Sequence, residues 1–167
     1  GVQFLEKLGL KRVVLAREVT QKGIQSIMQH TDTELEYFVH GALCISYSGQ
    51  CLMSSILGGR SGNRGSCAQP CRLPYTLLKN GKPITGAEHL LCPKDLCLAD
   101  RVSALREMGV ASLKIEGRMK SPAYVAMVTQ VYKKAAEGSV TDDEIRQMLQ
   151  YFSRGGSCRG YWDGCLY

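Results

Sequence analysis

Four cysteines fall within 28 residues as Cys44-x6-Cys51-x15-Cys67-x3-Cys71, and Gly41, Gly49, Gly58, Gly59, Gly62 and Gly65 surround them. Glycine lets backbone amides approach sulfur closely. Metal coordination lowers a thiol's pKa, and soft sulfur suits iron or zinc. The spacing is not a pair of zinc-ribbon CxxC knuckles, which disfavours zinc. The chain holds eight cysteines in all. Their even number would permit four disulfides in a secreted protein, whereas clustering beside Gly and Pro suits metal or iron-sulfur ligation in a reducing cytoplasm. The bland reading is a set of buried free thiols acting as small hydrophobes. Cys92 and Cys97 flank Pro93-Lys94-Asp95 at an expected helix start, and Cys97 competes with Cys71 as the fourth ligand. Cys158 and Cys165, in the tail, read as bystanders.

A second group of candidates follows from where strands should end. Val13-Val14-Leu15, Leu35 to His40 and Ala111 to Ile115 read as strands, each met by a helical pattern. Arg17 and Glu18 follow the first, His40 and Gly41 the second, and Glu116, Gly117 and Arg118 the third. In βα folds catalytic groups gather at such ends. Arg17 and Arg118 offer forked guanidinium donors to a carboxylate or phosphate, and Glu116 can accept a proton or orient Arg118. The structural alternative is a ring of Glu18 and Glu116 ion-paired with these arginines. Asn63, Arg64, Gly65 and Arg72 place positive charge beside the cysteines, as an anionic substrate or plain solubility would require. His40, four residues before Cys44, permits a Cys-His dyad; a satisfied imidazole at a strand end is the plainer account.

The elements that must position these residues are marked locally. Phe4, Leu5 and Leu8 share a helical face closed by Gly9; Thr20 caps a helix with Ile24, Ile27 and Met28; Ser121 caps, and Pro122 opens, a helix running to Gly138. A solidly apolar strand between helices predicts a sheet buried on both faces. Residues 41–73 form a long Cys/Gly-rich insertion, 73–91 a β-hairpin around Lys79-Asn80-Gly81-Lys82, and 139–167 the start of a following region with a helix at Asp142 to Phe152. Three βα units cannot close an eight-stranded barrel, which needs ~250 residues. The chain opens Gly-Val-Gln-Phe-Leu, as if already inside a helix. The expected fold is therefore α/β, the C-terminal half of a TIM-type βα barrel over residues 1–138, its missing half supplied elsewhere or by an oligomer partner.

Composition narrows the class. Apolar residues make up 44% and charged residues 22%, so a core is affordable, and the net charge of +6 is scattered along the chain. No apolar run approaches the ~18 residues that span a bilayer, which excludes a membrane-spanning protein. Neither a Gly-x-Ser-x-Gly elbow nor a His-Glu-x-x-His helix is present. No nucleotide cofactor is indicated.

The run Glu36-x-Phe38-x2-Gly41-Ala42-Leu43-Cys44-x4-Gly49-x-Cys51-x-Met53-Ser54 resembles, without a gap, the signature of the collagenase-like U-32 peptidase family. The blocks GGRSGNRGSCAQPCRLPY, CPKDLCLADRVSALREMGVASLKIEGRMKSPAYV and FSRGGSCRGY are similar to that family too, in its usual order. The resemblance implies a βα-barrel catalytic region, of which this chain holds the latter half. It implies either collagen-degrading proteases or proteins of oxygen-independent hydroxylation of tRNA, ribosomal RNA or the ubiquinone ring that use a cysteine-bound 4Fe-4S cluster. By that likeness Cys44, Cys51 and Cys67 are cluster ligands, with Cys71 or Cys97 the fourth. The preferred expectation is iron-sulfur-dependent modification of an RNA base in the cytoplasm. A peptidase acting on collagen-like or other peptides is the alternative, and a non-enzymatic module with a structural metal clip the third.

Overall fold

Short-range chemistry decides most helix ends. The structure is a computed structural model that describes residues 1–118, 120–152 and 155–164. Helix α1 (Val2–Lys7) precedes strand β1 (Arg12–Val14), and α2 (Gln21–Met28) begins where the Thr20 side chain accepts a hydrogen bond from the Gly23 amide at 3.1 Å. Strand β2 (Glu34–Gly41) follows, then α3 (Met53–Gly58), the two-residue strands β3 (Leu78–Lys79) and β4 (Lys82–Pro83), and β5 (Asp95–Cys97). Helix α4 (Val102–Glu107) leads to β6 (Ser112–Ile115). Helix α5 (Pro122–Glu137) starts with the Ser121 hydroxyl accepting from the Tyr124 amide and stops at left-handed Gly138. Before α6 (Asp142–Phe152), Thr141 and Glu144 bond each other's backbone amides reciprocally, which satisfies two otherwise unpaired donors. Strand β7 (Ser157–Cys158) ends the series.

The chain divides into two units: Gly1–Leu43 with Lys94–Tyr167, and Cys44–Pro93. In the first, β1 and β6 lie parallel to β2, β5 pairs antiparallel with the end of β2 through His40↔Cys97 and Gly41↔Leu96, and β7 runs parallel to β5. This is a mixed, open α/β sheet. No closed barrel is formed by the described residues; the Cys97 segment, expected as a helix start, is a strand antiparallel to β2, and the Tyr132 hydroxyl and the Val39 carbonyl take up the amide of Leu98 just beyond it.

Strand alternation also corrects the expectation of a sheet buried on both faces. Leu35, Tyr37 and Val39 are buried against Ile24, Leu98, Leu105, Tyr124, Val128 and Met148, whereas β1 alternates, with Val13 buried and Val14 45% exposed. The other face of β2 carries Glu36, which accepts from Ser112 and Lys114, and Phe38, with the Arg17 guanidinium 4.2 Å from its ring centroid. Helices cover one face only; the other is a polar ladder.

The Cys44–Pro93 unit is built otherwise. Among the described residues Ser54 is its one buried side chain. Hydrogen bonds hold it together: Ser54 Oγ accepts from the Ala68 amide at 2.9 Å, and Asn63 donates to the Gly49 carbonyl at 2.9 Å. The hairpin is present but short, extended by a two-bond bridge between Tyr75 and Glu88.

Candidate functional site

Three strand ends in the sheet unit bring their residues together. The Glu116 amide donates to the His40 carbonyl at 2.9 Å, and the Arg118 amide donates to Glu116 Oε1 at 2.9 Å. Arg17 Nη2 lies 3.7 Å from Glu116 Oε2. Gly41 is what permits this closeness: its φ is +109°, and a Cβ there would stand 2.5 Å from the Glu116 carbonyl oxygen. Arg17, Glu116 and the Arg118 backbone thus meet at one end of the sheet. Arg17 is half-buried with its guanidinium over the Phe38 ring, a cation over an aromatic face. Glu18 lies instead beside Tyr37, whose neighbour Phe38 points to the opposite face of β2; burial, and then the charge of Glu18, push the Tyr37 phenol up to about 12.

His40 faces the core. It is 5% exposed, with Nδ1 3.2 Å from the Tyr132 hydroxyl. That hydroxyl donates its one proton to the Val39 carbonyl at 2.7 Å, so His40 must carry its proton on Nδ1 and donate. Burial, and next the charge of Lys120, lower the imidazole to about 4. A neutral ring of such weak basicity is a poor general base at neutral pH. Cys97 is buried in the same neighbourhood, its thiol pushed up chiefly by burial and lying 3.9 Å from the Tyr132 hydroxyl.

The other unit holds the cysteine set. Cys44 is exposed; Cys51, Cys67, Cys71 and Cys92 are half-buried, and the seven described cysteines are all unbridged. Cys165 lies outside the described residues, as does Arg154 of the tail. The Gln69 amide donates to Cys67 Sγ at 3.3 Å, made possible by the left-handed backbone of Gln69 (φ 59°). Burial first, then Cys44, Cys67 and Cys51, push the Cys71 thiol up, while Arg72 opposes them. The thiols of Cys44, Cys67 and Cys51 are therefore within electrostatic reach of Cys71. Among the described residues no three His, Cys, Asp or Glu side chains stand close enough to hold a single ion. Corner ligands of a cubane sit roughly 6 to 7 Å apart, wider than the ligands of one ion.

Two contacts were not anticipated. Arg72 Nη1 donates to Cys92 Sγ at 3.1 Å, and Glu36, held below the usual carboxylate range chiefly by the Lys114 hydrogen bond, lies on the polar face. The first has no signal in sequence, since 20 residues separate the partners. The second does: Glu34 and Glu36 alternate with Leu35 and Tyr37.

No solved structure matches the chain. Among curated proteins it is 45% identical over 151 residues to a tRNA hydroxylation protein of Bacillus subtilis, covering 86% of this chain and 36% of that one. It is 44% identical over 141 residues to a 23S rRNA 5-hydroxycytidine synthase of Escherichia coli, covering 84% of this chain and 22% of the relative. A collagenase of Porphyromonas gingivalis is 37% identical over 139 residues, 78% of this chain and 37% of that protein. The chain thus spans well under half the length of these relatives. The sequence profile described as Peptidase family U32 matches residues 1–164, and the chain belongs to that family.

Proposed function

We propose that the chain is the cluster-holding part of a cytoplasmic enzyme that hydroxylates a base of tRNA or ribosomal RNA, with Cys44, Cys51, Cys67 and Cys71 binding a 4Fe-4S cluster. The observation that carries this is the Cys44–Pro93 unit itself: Cys44, Cys51 and Cys67 lie within electrostatic reach of Cys71 in a segment with no buried apolar side chain among the described residues. A unit of that size without an apolar core needs a staple, and its described cysteines form no disulfide. A cationic iron centre would neutralise the thiolates and tie their loops. The Gln69 amide is aimed at the Cys67 sulfur, the kind of hydrogen bond that tunes such clusters. The names of the Bacillus and Escherichia relatives agree with the RNA reading.

When bound, the cluster supplies one-electron redox chemistry. The protein's own residues do the rest. Arg17 and Arg118 hold a phosphate or carboxylate at the strand ends, Glu116 fixes Arg17 and is placed to accept a proton, and neutral His40 keeps the β2 end rigid through Tyr132. The polar ladder of Glu36, Ser112 and Lys114 is the face a βα barrel would enclose, in agreement with the sheet being part of a barrel completed by a longer protein or a partner.

A peptidase is the second reading, favoured by the exposure of Cys44 and the name of the Porphyromonas relative. It needs a base, and His40 at about 4 is a weak one. The deciding experiment is anaerobic purification of the intact protein with iron and sulfide assay, visible spectroscopy and mass-spectrometric analysis of cellular RNA. Exchange of Cys44, Cys51, Cys67 or Cys71 for Ser is expected to remove iron and the RNA hydroxyl together, whereas Cys97→Ser retains iron. Full activity in Cys51→Ser and Cys67→Ser with loss only in Cys44→Ser would replace this reading by the peptidase.

A further inference from the structure

The Cys44–Pro93 unit carries five basic side chains, Arg60, Arg64, Arg72, Lys79 and Lys82, against one carboxylate, Glu88, a net +4 of the chain's +6. Charge so concentrated in 50 residues is an electrostatic footprint that the overall composition hides. Two of the five are already spoken for: Arg60 donates to the Ser66 carbonyl and Arg72 to the Cys92 sulfur.

Lys79 and Lys82 are placed differently. They are direct cross-strand partners on β3 and β4, closing a turn in which Asn80 (φ 52°) and Gly81 (φ 76°) both take left-handed backbone. Like charges directly opposite each other destabilise a strand pair, and a two-stranded ribbon is marginal to begin with. Both lysines are exposed, and neither makes an ion pair among the described residues. The ribbon behind them is nonetheless firmly built: Ile84 donates to the Leu77 carbonyl at 2.9 Å, the Leu77 amide to Thr85 Oγ1 at 3.1 Å, and Tyr75 and Glu88 exchange two backbone bonds. Leu77, Leu78 and Ile84, each half or more exposed, flank the charged tip.

We infer that this hairpin is a nucleic-acid docking element, in which Lys79 and Lys82 bind neighbouring phosphates of the RNA and Leu77, Leu78 and Ile84 pack against unstacked bases or ribose. A polyanion removes the repulsion between the paired lysines, and the apolar flanks suit the exposed faces of single-stranded or looped RNA better than a fully paired helix. The inference rests on the RNA-modification reading and adds to it where the RNA is gripped.

The test titrates the intact protein with bulk tRNA, with deproteinised ribosomal RNA and with a triple-helical collagen-like peptide, between about 50 and 200 mM salt. The variants are Lys79→Gln/Lys82→Gln and Lys79→Arg/Lys82→Arg. Losing two phosphate contacts should weaken RNA binding about tenfold and reduce the slope of log affinity against log salt by about 1.4 on single strands. The arginine pair should bind like wild type, and both variants should keep wild-type iron content and melting temperature. If wild type binds RNA and the glutamine pair binds equally well with the same slope, the hairpin assignment is overturned and the proposed function stands. Absence of RNA binding by wild type, with or without binding of the collagen-like peptide, overturns both.

Discussion

The sheet unit buries Leu35, Ile24, Leu98, Leu105, Tyr124 and Val128 almost completely, while Cys44–Pro93 buries no large apolar side chain among the described residues. Of the 17 large hydrophobic residues left exposed among the described residues, 11 belong to that second unit, from Ile45 to Leu91. One region is held by burial, at roughly 25 cal/mol per Å2 of apolar surface removed from water. The other is held by hydrogen bonds of Ser54 and Asn63 and, on the reading above, by metal. A fold that leans on a ligand is lost with the ligand, because the binding free energy is also folding free energy. A fold that leans on a core is not.

The strongest way to break this contrast is to withdraw the metal. Chelation, or Cys67→Ser, is expected to open the whole Cys44–Pro93 unit to proteolysis and amide exchange while protection in β2, α4 and α5 persists. Equal loss of protection in both units would show that they share one source of stability.

The converse experiment thins the core. Leu105, 0% exposed, replaced by Ala should cost about 3 kcal/mol in denaturant unfolding of the sheet unit, through lost transfer energy and the cavity left behind. Iron content should not change. A variant that also releases iron would join the two regions energetically.

Acid sharpens the comparison, since the sheet unit contains a buried neutral imidazole. His40 titrates near 4 in the fold and near 6.5 when unfolded, so below about 6.5 the unfolded chain binds the extra proton. Stability from this group is full above pH 6.5 and is lost as pH falls toward about 4, on the order of 3 kcal/mol at the limit. Melting of wild type and His40→Gln across that window should give a steep and a shallower profile respectively; parallel profiles would refute the assignment.

The smallest effect tests a local signal. Ser121→Ala removes the acceptor for the Tyr124 amide and should lower stability by about 1 kcal/mol, measured as a fall in melting temperature, without touching the cysteine unit.

Much of the fold was legible because its signals are short-range. Thr20 and Ser121 accept from amides three residues on, Gly138 takes the left-handed stop, and Asn80-Gly81 makes the tight turn, each within a few bonds of the residue that reveals it. Strand β5 reads locally as a helix start because its three residues are extended by pairing with distant strands, with β2 some 55 positions earlier and with β7 about 60 later. The one-sided burial of the sheet was hidden for a like reason: Val13 and Val14 are the same residue, and only the packing of α2, α4 and α5 on one face decides which is covered.

The site divides along the same line. Residue type and spacing alone marked Cys44, Cys51, Cys67 and Cys71 as candidates for ligation, since four thiols clustered among glycines suit a metal or an iron-sulfur group. They also set Arg17, Glu116 and Arg118 at strand ends. Tertiary structure decided that Gly41 must be glycine because Glu116 presses against it, that His40 is neutral because burial and the charge of Lys120 disfavour its protonated form, and that Arg72 reaches Cys92. Burial and proximity between distant residues are properties of the packed chain, and no local pattern encodes them.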